Sequence, residues 1–248
     1  MKPPKKPKGS LTSLRAKEPA SSENMAVVFY GPPGSGKGTQ AQLLADKMHL
    51  FHFDTGDYLR KLLNNPKFKN DPAIQKERKL NESGKLNTPA WVLNVIIKQV
   101  GELAKLGQSV VFSGSPRNVY EAFGDETHQG LLPFLAKKYG KQNIHIFFLQ
   151  IPDETTVQRN THRTICSVCR TPLLDVKHKS STCPFCGGKV EHRVDDTTTV
   201  IKQRLKEYHA RTEPVIAEST KRGYNVVKLD GTPAPYKVHE EIVKYFVK

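Results

Sequence analysis

A glycine-rich stretch near the start of the chain has the residue types and spacing to hold phosphate groups. Residues 31–39 read GPPGSGKGT, the pattern G-x-x-x-x-G-K with a hydroxyl residue, Thr39, two places after Lys37. Glycines let backbone N–H groups converge on a phosphate, and the lysine ammonium can reach the terminal phosphates of a nucleoside triphosphate. We therefore predict that a nucleoside triphosphate binds at this loop.

The segments on either side of the loop support this prediction. Residues 26–30 form an apolar run typical of a buried strand, and Ala41, Leu44, Ala45 and Met48 repeat with the period of an amphipathic helix. A glycine loop between a strand and a helix is the context in which the pattern binds phosphate. A turn without chemical function would not require strand, loop and helix to agree.

Arginines in other segments could neutralise the charge of a transferred phosphoryl group. They are Arg60, Arg117, Arg159, Arg163, Arg193 and Arg204. Taken singly, each arginine is more often a solvated surface residue, but phosphoryl transfer requires several cations that converge from different segments. Arg159 and Arg163 are four residues apart, which predicts that they share one face of a helix.

Short apolar runs alternate with helical patterns through the rest of the chain. The predicted strands are residues 26–30, 50–53, 110–112, 144–151 and 226–229. Thr88 and Pro89 are predicted to begin a helix, and Asp196 to cap a long helix that ends near Gly223. This alternation predicts an α/β fold of three layers, in which helices cover both faces of a five-stranded parallel sheet.

The chain resembles the adenylate kinase family of nucleoside monophosphate kinases over nearly all of residues 25–248. The matching segments are GPPGSGKGTQ, DTGDYLR, GKLNTPAWV, GSPR, VQRNTHR, HRVDDT, IKQRLKEYHARTEPVI and LDGT. The resemblance implies a P-loop core, a helical monophosphate-binding flap at residues 54–88 and a small lid at residues 162–196. It also implies reversible transfer of the γ-phosphoryl group of ATP, bound with Mg²⁺, to AMP, giving two ADP.

The resemblance further implies roles for individual residues. The ATP-binding residues would be Gly34, Ser35, Gly36, Lys37, Gly38, Thr39 and Arg159. The monophosphate-binding residues would be Thr55, Arg60, Arg117, Glu121, Arg193 and Arg204. The catalytic residues would be Lys37, Arg117, Arg163, Arg193, Arg204, Asp195 and Asp196, the two aspartates orienting the arginines and tying down the lid. No general base is implied, because catalysis in such enzymes is chiefly positioning and charge stabilisation.

The four cysteines form two C-x-x-C pairs with thirteen residues between the pairs. They are Cys166, Cys169, Cys183 and Cys186. Two such pairs predict a tetrahedral site of four thiolates, which suits Zn²⁺ best, and two disulfides are the alternative. The pairs fall where the resembled kinases place their lid, and some of those carry a zinc there, so the resemblance implies a structural metal.

Two positions depart from the family pattern. Ser113 stands where the family usually has an aspartate that holds a Mg²⁺-bound water, so metal binding would depend more on the nucleotide phosphates, with Asp57 or the lid aspartates as partial substitutes. Glu121 replaces a glutamine that pairs with adenine, and a carboxylate, which only accepts, better suits the adjacent donors of guanine. Thr55 is the residue of adenine-specific members. AMP is therefore the expected acceptor and GMP the alternative.

Composition and charge set the remaining expectations. The chain has 248 residues and a net charge of +15, of which residues 1–24, rich in Pro, Lys and Ser and predicted to be disordered, carry +4. No apolar stretch approaches the ~20 residues of a membrane span, and we expect a cytoplasmic protein, a monomer by the resemblance. The basic excess suits polyanions, and two alternatives stay open, the first favoured by Ser113 and the second by the basic tail and the cysteine pairs. These are a catalytically weak nucleotide-binding or regulatory protein, and a nucleic-acid-binding protein, although nucleic acid is not the expected partner.

Overall fold

The computed structural model describes residues 24–83, 86–173, 181–192 and 196–246. The predicted disordered tail therefore lies outside the described residues, except for Asn24. The strands are β1 (Ala26–Tyr30), β2 (Phe51–Asp54), β3 (Val110–Ser113), β4 (Ile144–Gln150), β5 (Thr164–Cys166), β6 (Pro172–Leu173), β7 (Val190–His192) and β8 (Asn225–Asp230). The helices are α1 (Lys37–Met48), α2 (Thr55–Leu63), α3 (Pro72–Glu82), α4 (Pro89–Lys105), α5 (Val119–Phe123), α6 (Leu131–Tyr139), α7 (Asp153–Thr161), α8 (Thr198–Glu207), α9 (Glu213–Lys221) and α10 (Pro235–Val243).

The central sheet has five parallel strands in the order β2-β3-β1-β4-β8. Its two faces bury separate apolar clusters. Val28, Phe112 and Ile146 point to the face that α4, α5, α6 and α9 cover, whereas Phe29 and Phe147 point to the face that α1 and α10 cover. Strands buried on both faces read as continuous apolar runs, which is why β1, β3 and β4 stand out in the sequence. The edge strands β2 and β8 are only partly buried, and shorter apolar runs predicted them. The predicted three-layer α/β fold is confirmed.

Helices α2 and α3, with a short 3₁₀ turn at Pro66–Phe68, form a helical segment between β2 and α4. A buried carboxylate holds the end of this segment, because Glu77 accepts hydrogen bonds from the Asn87 side chain at 3.0 Å and from the Thr88 backbone N–H at 2.9 Å. Glu77 is only 2% exposed. A buried charge must be paired with donors in this way, so Glu77 fixes α3 to the start of α4.

A second, three-stranded antiparallel sheet, in the order β6-β5-β7, carries the first two cysteines at and just after β5. It lies in sequence between α7 and α8. In the described part of the chain, no helix has the length and apolar character that crossing a membrane requires.

The predicted long helix after residue 196 is confirmed, because α8, a π-helical turn and α9 follow one another without a break and end at Lys221, near Gly223. Five residues, Tyr208–Thr212, form a π-helical turn between α8 and α9. Pro214 lies in the first turn of α9, and it has no N–H to donate to the carbonyl four residues earlier. The N-cap of α8 is Thr197, whose hydroxyl accepts from the Val200 N–H at 3.4 Å, rather than Asp196.

Candidate active site

The phosphate-loop pattern forms the connection between β1 and α1, as predicted. Gly34 and Gly36 have φ values of +79° and +92°, a region that favours glycine. A Cβ atom on Gly34 would also lie 2.5 Å from Nδ2 of Asn160. The loop delivers Lys37 to the first position of α1, where its ammonium donates to the carbonyl oxygens of Gly31 and Pro32, each at 2.7 Å. The ammonium thus lies along the loop beside the positive end of α1.

Three arginines from separate segments lie near enough to the Lys37 ammonium for their charges to change its pKa. Burial, followed by the charges of Arg204, Arg117 and Arg163, lowers the pKa of Lys37 to about 7. Such crowding of like charges is costly without an anion. The structure therefore brings four of the predicted cationic residues together at the phosphate loop.

Asp196 fixes two of these arginines. Its carboxylate, which is 2% exposed, accepts two parallel hydrogen bonds from Arg163, at 2.8 and 2.7 Å, and lies 3.4 Å from Nη1 of Arg204. Two-point pairing of this kind fixes the plane of a guanidinium. Arg193 and Asp195, which were predicted to act with them, lie outside the described residues.

Arg163 does not share a helix face with Arg159, which corrects the sequence prediction. Helix α7 ends at Thr161, so Arg163 lies beyond it and turns toward Asp196. Arg159 stays on α7 and donates to the carbonyl oxygens of Gly231 and Thr232, at 2.8 and 2.7 Å. These contacts place Arg159 beside the loop after β8, and its Nη1 lies 3.4 Å from the Gly34 carbonyl oxygen.

Arg117 follows a cis peptide bond between Ser115 and Pro116. Its side chain donates from Nε to the Gly114 carbonyl oxygen at 2.7 Å. Its backbone N–H donates to the Glu121 carboxylate, also at 2.7 Å.

Glu121 is buried and braces the segment that carries Arg117. Its second oxygen accepts from the side-chain amide of Asn118 at 2.8 Å, and Asn118 accepts from the Glu121 backbone N–H at 2.8 Å. Burial raises the pKa of Glu121, and these hydrogen bonds together with the charge of Arg117 oppose the shift. This reciprocal arrangement is close to a helix capping box. The base-reading role of Glu121 stays a prediction.

Thr55 and Arg60 both lie on α2. The Thr55 hydroxyl is buried and forms no hydrogen bond with any residue that the structure describes. Buried polar groups are normally paired, so this orphaned hydroxyl marks a polar position at the start of α2 that the described residues leave unsatisfied. Arg60 is 3.6 Å from Asp57, whose carboxylate also pairs with Lys61 at 2.7 Å.

His52 was missed by the sequence reasoning. Its ring lies between two polar groups, with Nδ1 3.0 Å from the side-chain oxygen of Gln42 and Nε2 2.7 Å from the Ser113 hydroxyl. No motif includes His52, because its contact with Ser113 depends on the pairing of β2 with β3. Only the strand order of the sheet reveals it.

The four cysteines lie together and none forms a disulfide. Their sulfur atoms are all within 4.8 Å of one another, with 3.4 Å between Cys166 and Cys186 and 3.7 Å between Cys169 and Cys183. Four sulfurs around Zn²⁺ at ~2.3 Å stand roughly 3.8 Å apart. The observed cluster therefore fits a tetrahedral zinc site, and the disulfide alternative is not what the structure forms.

Comparisons with known proteins agree with this geometry. The sequence model of the family described as adenylate kinase matches residues 29–224. A protein named adenylate kinase from Methanothrix thermoacetophila is 33% identical over 228 residues, which cover 90% of this chain and 99% of that protein. A second, from Clostridium tetani, is 30% identical over 221 residues, which cover 88% and 96%. A third, from Borrelia turicatae, is 32% identical over 196 residues, which cover 77% and 85%.

Proposed function

We propose that this chain, which belongs to the adenylate kinase family and is an ATP-dependent nucleoside monophosphate kinase, transfers the γ-phosphoryl group of ATP to AMP, giving two ADP. The observation that carries the proposal is the convergence of Arg117, Arg163 and Arg204 on Lys37 at the phosphate loop. A protein that only bound a nucleotide would not need cations from so many segments. An enzyme that stabilises charge on a moving phosphoryl group does.

On the ATP side, the loop residues Gly34–Thr39 would surround the β- and γ-phosphates with backbone N–H groups. The Lys37 ammonium would exchange its carbonyl partners for oxygens of those phosphates. Arg159, which the loop at residues 231–232 holds in place, would lie beside the adenine and touch the phosphates. The fold already orients the loop backbone and Arg159 for these contacts, whereas Lys37 has to change partners.

On the acceptor side, Arg60 and Arg117 would bind the phosphate of AMP. The unpaired Thr55 hydroxyl supports a place for the base at the start of α2. The contacts of Glu121 weaken the case for guanine, because each of its oxygens already accepts a hydrogen bond from its own segment. Less acceptor capacity is then left for the two adjacent donors of guanine.

Between the two nucleotides, Arg163, Arg193 and Arg204 would surround the transferred group, with Asp195 and Asp196 as their orienting partners. We propose that residues 54–88 act as the monophosphate flap and residues 162–196 as the lid. Closing them would exclude water, which otherwise would accept the phosphoryl group from ATP. The chain needs no general base, because the positioned phosphate oxygen of AMP is itself the nucleophile.

Adenylate kinases use Mg²⁺ with ATP, and the residues here fit an ion held mainly by nucleotide phosphates. The Ser113 hydroxyl is 5% exposed at the end of β3 and can orient a metal-bound water, but it contributes no charge. When bound, the ion would neutralise charge on the phosphates.

In the lid, Zn²⁺ held by the four thiolates would be structural, since four sulfur ligands leave no open position. We propose a monomer, and a reducing compartment such as the cytoplasm, which four free thiols support.

The test is a coupled assay with ATP and each of AMP, GMP, CMP and UMP, with and without Mg²⁺. We expect AMP to be phosphorylated fastest, only with Mg²⁺, and Lys37→Met to remove the activity. GMP turnover tenfold faster than AMP turnover would overturn the choice of acceptor. Nucleotide binding without turnover of any monophosphate would support a regulatory protein instead.

A further inference from the structure

Asp54 and Ser113 lie side by side at the carboxyl ends of neighbouring parallel strands. They are register partners in the pairing of β2 with β3, and Ser113 is paired on its other side with Phe29 of β1, two residues before the phosphate loop begins. Paired residues on adjacent strands are ~4.8 Å apart and point to the same face. The carboxylate of Asp54 is therefore a direct neighbour of the Ser113 hydroxyl.

Both residues point to the face of the sheet that α1 covers. Phe53 and Phe112 belong to the apolar cluster on the opposite face, and side chains alternate along a strand, so Asp54 and Ser113 turn the other way. Helix α1 begins at Lys37. The carboxyl ends of β2 and β3 thus open toward the phosphate loop, where ligands bind in parallel sheets.

The Ser113 hydroxyl is already engaged by His52 at 2.7 Å and carries no charge. Burial lowers the pKa of His52, and the Asp54 carboxylate opposes that shift, which shows that Asp54 and His52 are close enough to interact. Asp54 and Ser113 together therefore offer one negative charge at their end of the sheet. That charge belongs to Asp54 on β2 rather than to the residue on β3.

The other nearby carboxylate is less suitable. Asp57 pairs with Lys61 at 2.7 Å and with Arg60 at 3.6 Å, so cations already compensate its charge. Asp54 forms no ion pair with any described residue, and its one hydrogen bond is from the Asp57 backbone N–H to Oδ1, at 3.0 Å. The second oxygen, Oδ2, has no hydrogen-bond partner in the described part of the chain.

We propose that Asp54 is the positioning carboxylate for the Mg²⁺ that accompanies ATP, accepting hydrogen bonds from waters of the ion and supplying the charge that Ser113 lacks. The inference rests on the proposed function, because it presupposes that Mg²⁺ and nucleotide phosphates occupy the loop. Mg²⁺ keeps several waters and is bound through few protein carboxylates. One correctly placed carboxylate is therefore enough, and the neighbouring strand provides it.

The test measures metal binding directly, with Mn²⁺ as the probe. Enzyme loaded with a ligand that joins two adenosines through five phosphates is titrated with Mn²⁺, and free Mn²⁺ is followed by electron paramagnetic resonance. Asp54→Asn keeps an oxygen to cap α2 but removes the charge, and we expect it to weaken Mn²⁺ binding by about 10-fold to 100-fold. The exchange of the two residues, Asp54→Ser with Ser113→Asp, should restore affinity to within about threefold of wild type.

Asp57→Asn tests the competing carboxylate, and because cations already compensate the charge of Asp57, we expect this variant to lose much less Mn²⁺ affinity than Asp54→Asn. A loss in Asp57→Asn but not in Asp54→Asn would overturn the proposal, as would an unchanged Asp54→Asn. Binding of the five-phosphate ligand in the presence of EDTA tests folding and the two-nucleotide site separately. If the wild type fails to bind it, the proposed function fails, whereas normal binding together with unaltered Mn²⁺ affinity refutes only the role of Asp54.

Discussion

Binding of nucleotide phosphates should load a proton onto Lys37. Burial and the charges of Arg204, Arg117 and Arg163 lower the pKa of this lysine to about 7 in the ligand-free protein. At pH 8.5 only ~3% of the side chain would carry a charge, whereas contact with phosphate oxygens should return the pKa toward ~10.4. Binding should therefore take up about one proton per site, and the association constant should fall about tenfold per pH unit between roughly pH 7.5 and pH 10.

The uptake can be counted by calorimetry of the five-phosphate dinucleoside ligand at pH 8.5. The ligand is titrated in two buffers that differ in ionisation enthalpy, and the difference in observed heat gives the number of protons. Lys37→Arg is the matched variant, because a guanidinium stays charged at this pH and should take up none. Equal heats in both buffers for the wild type, or uptake that persists in Lys37→Arg, would refute this account of the loop.

Three other predictions concern the cysteine cluster and two sets of ion pairs. Removing Zn²⁺ with a chelator should lower the Tm measured by calorimetry, whereas protein that remains folded should keep its rate of phosphoryl transfer. Lost activity with an unchanged Tm would contradict a structural metal. Asp196→Asn should destabilise the protein by about 2 kcal/mol in denaturant titrations, because Arg163 loses a charged two-point acceptor, whereas Glu241→Gln at an exposed pair should have almost no effect. Hydrogen bonds to Glu213 and Asp153 raise the pKa of His209. The stability that the charged imidazole contributes through these contacts is therefore complete below pH ~6.5 and is lost as the pH rises through the raised pKa. The Tm difference between wild type and His209→Gln should therefore be larger at pH 6 than at pH 9, and an equal difference would exclude the ionic contribution.

Local patterns in the sequence were sufficient for much of this structure. The phosphate loop, the five strands and the cysteine cluster each depend on neighbours in the chain, so their spacing reveals them. The end of α7 before Arg163 and the π-helical turn before Pro214 were not visible, because a periodic pattern continues through both. The predicted capping role of Asp196 was wrong for a different reason, because its carboxylate pairs with Arg163 and Arg204 instead of with the N–H groups at the start of α8.

Contacts between strands that are distant in sequence were beyond any local pattern. Ser113 was recognised as a departure from the family, but its neighbour Asp54 could be identified only once β2 was known to pair with β3. The burial of Glu77 likewise depends on how α3 packs against the chain before α4. A single sequence therefore does not reveal the side chains that contact a site residue from another strand or helix.

The central claim is that two nucleotides bind end to end across one cluster of cations. The most direct measurement compares the affinity of the five-phosphate dinucleoside ligand with that of ATP, under the same conditions. If both halves engage at once, the linked ligand should bind at least about 100-fold more tightly than ATP, and Arg117→Ala should remove most of that advantage. A linked ligand that binds no more tightly than ATP would contradict the claim.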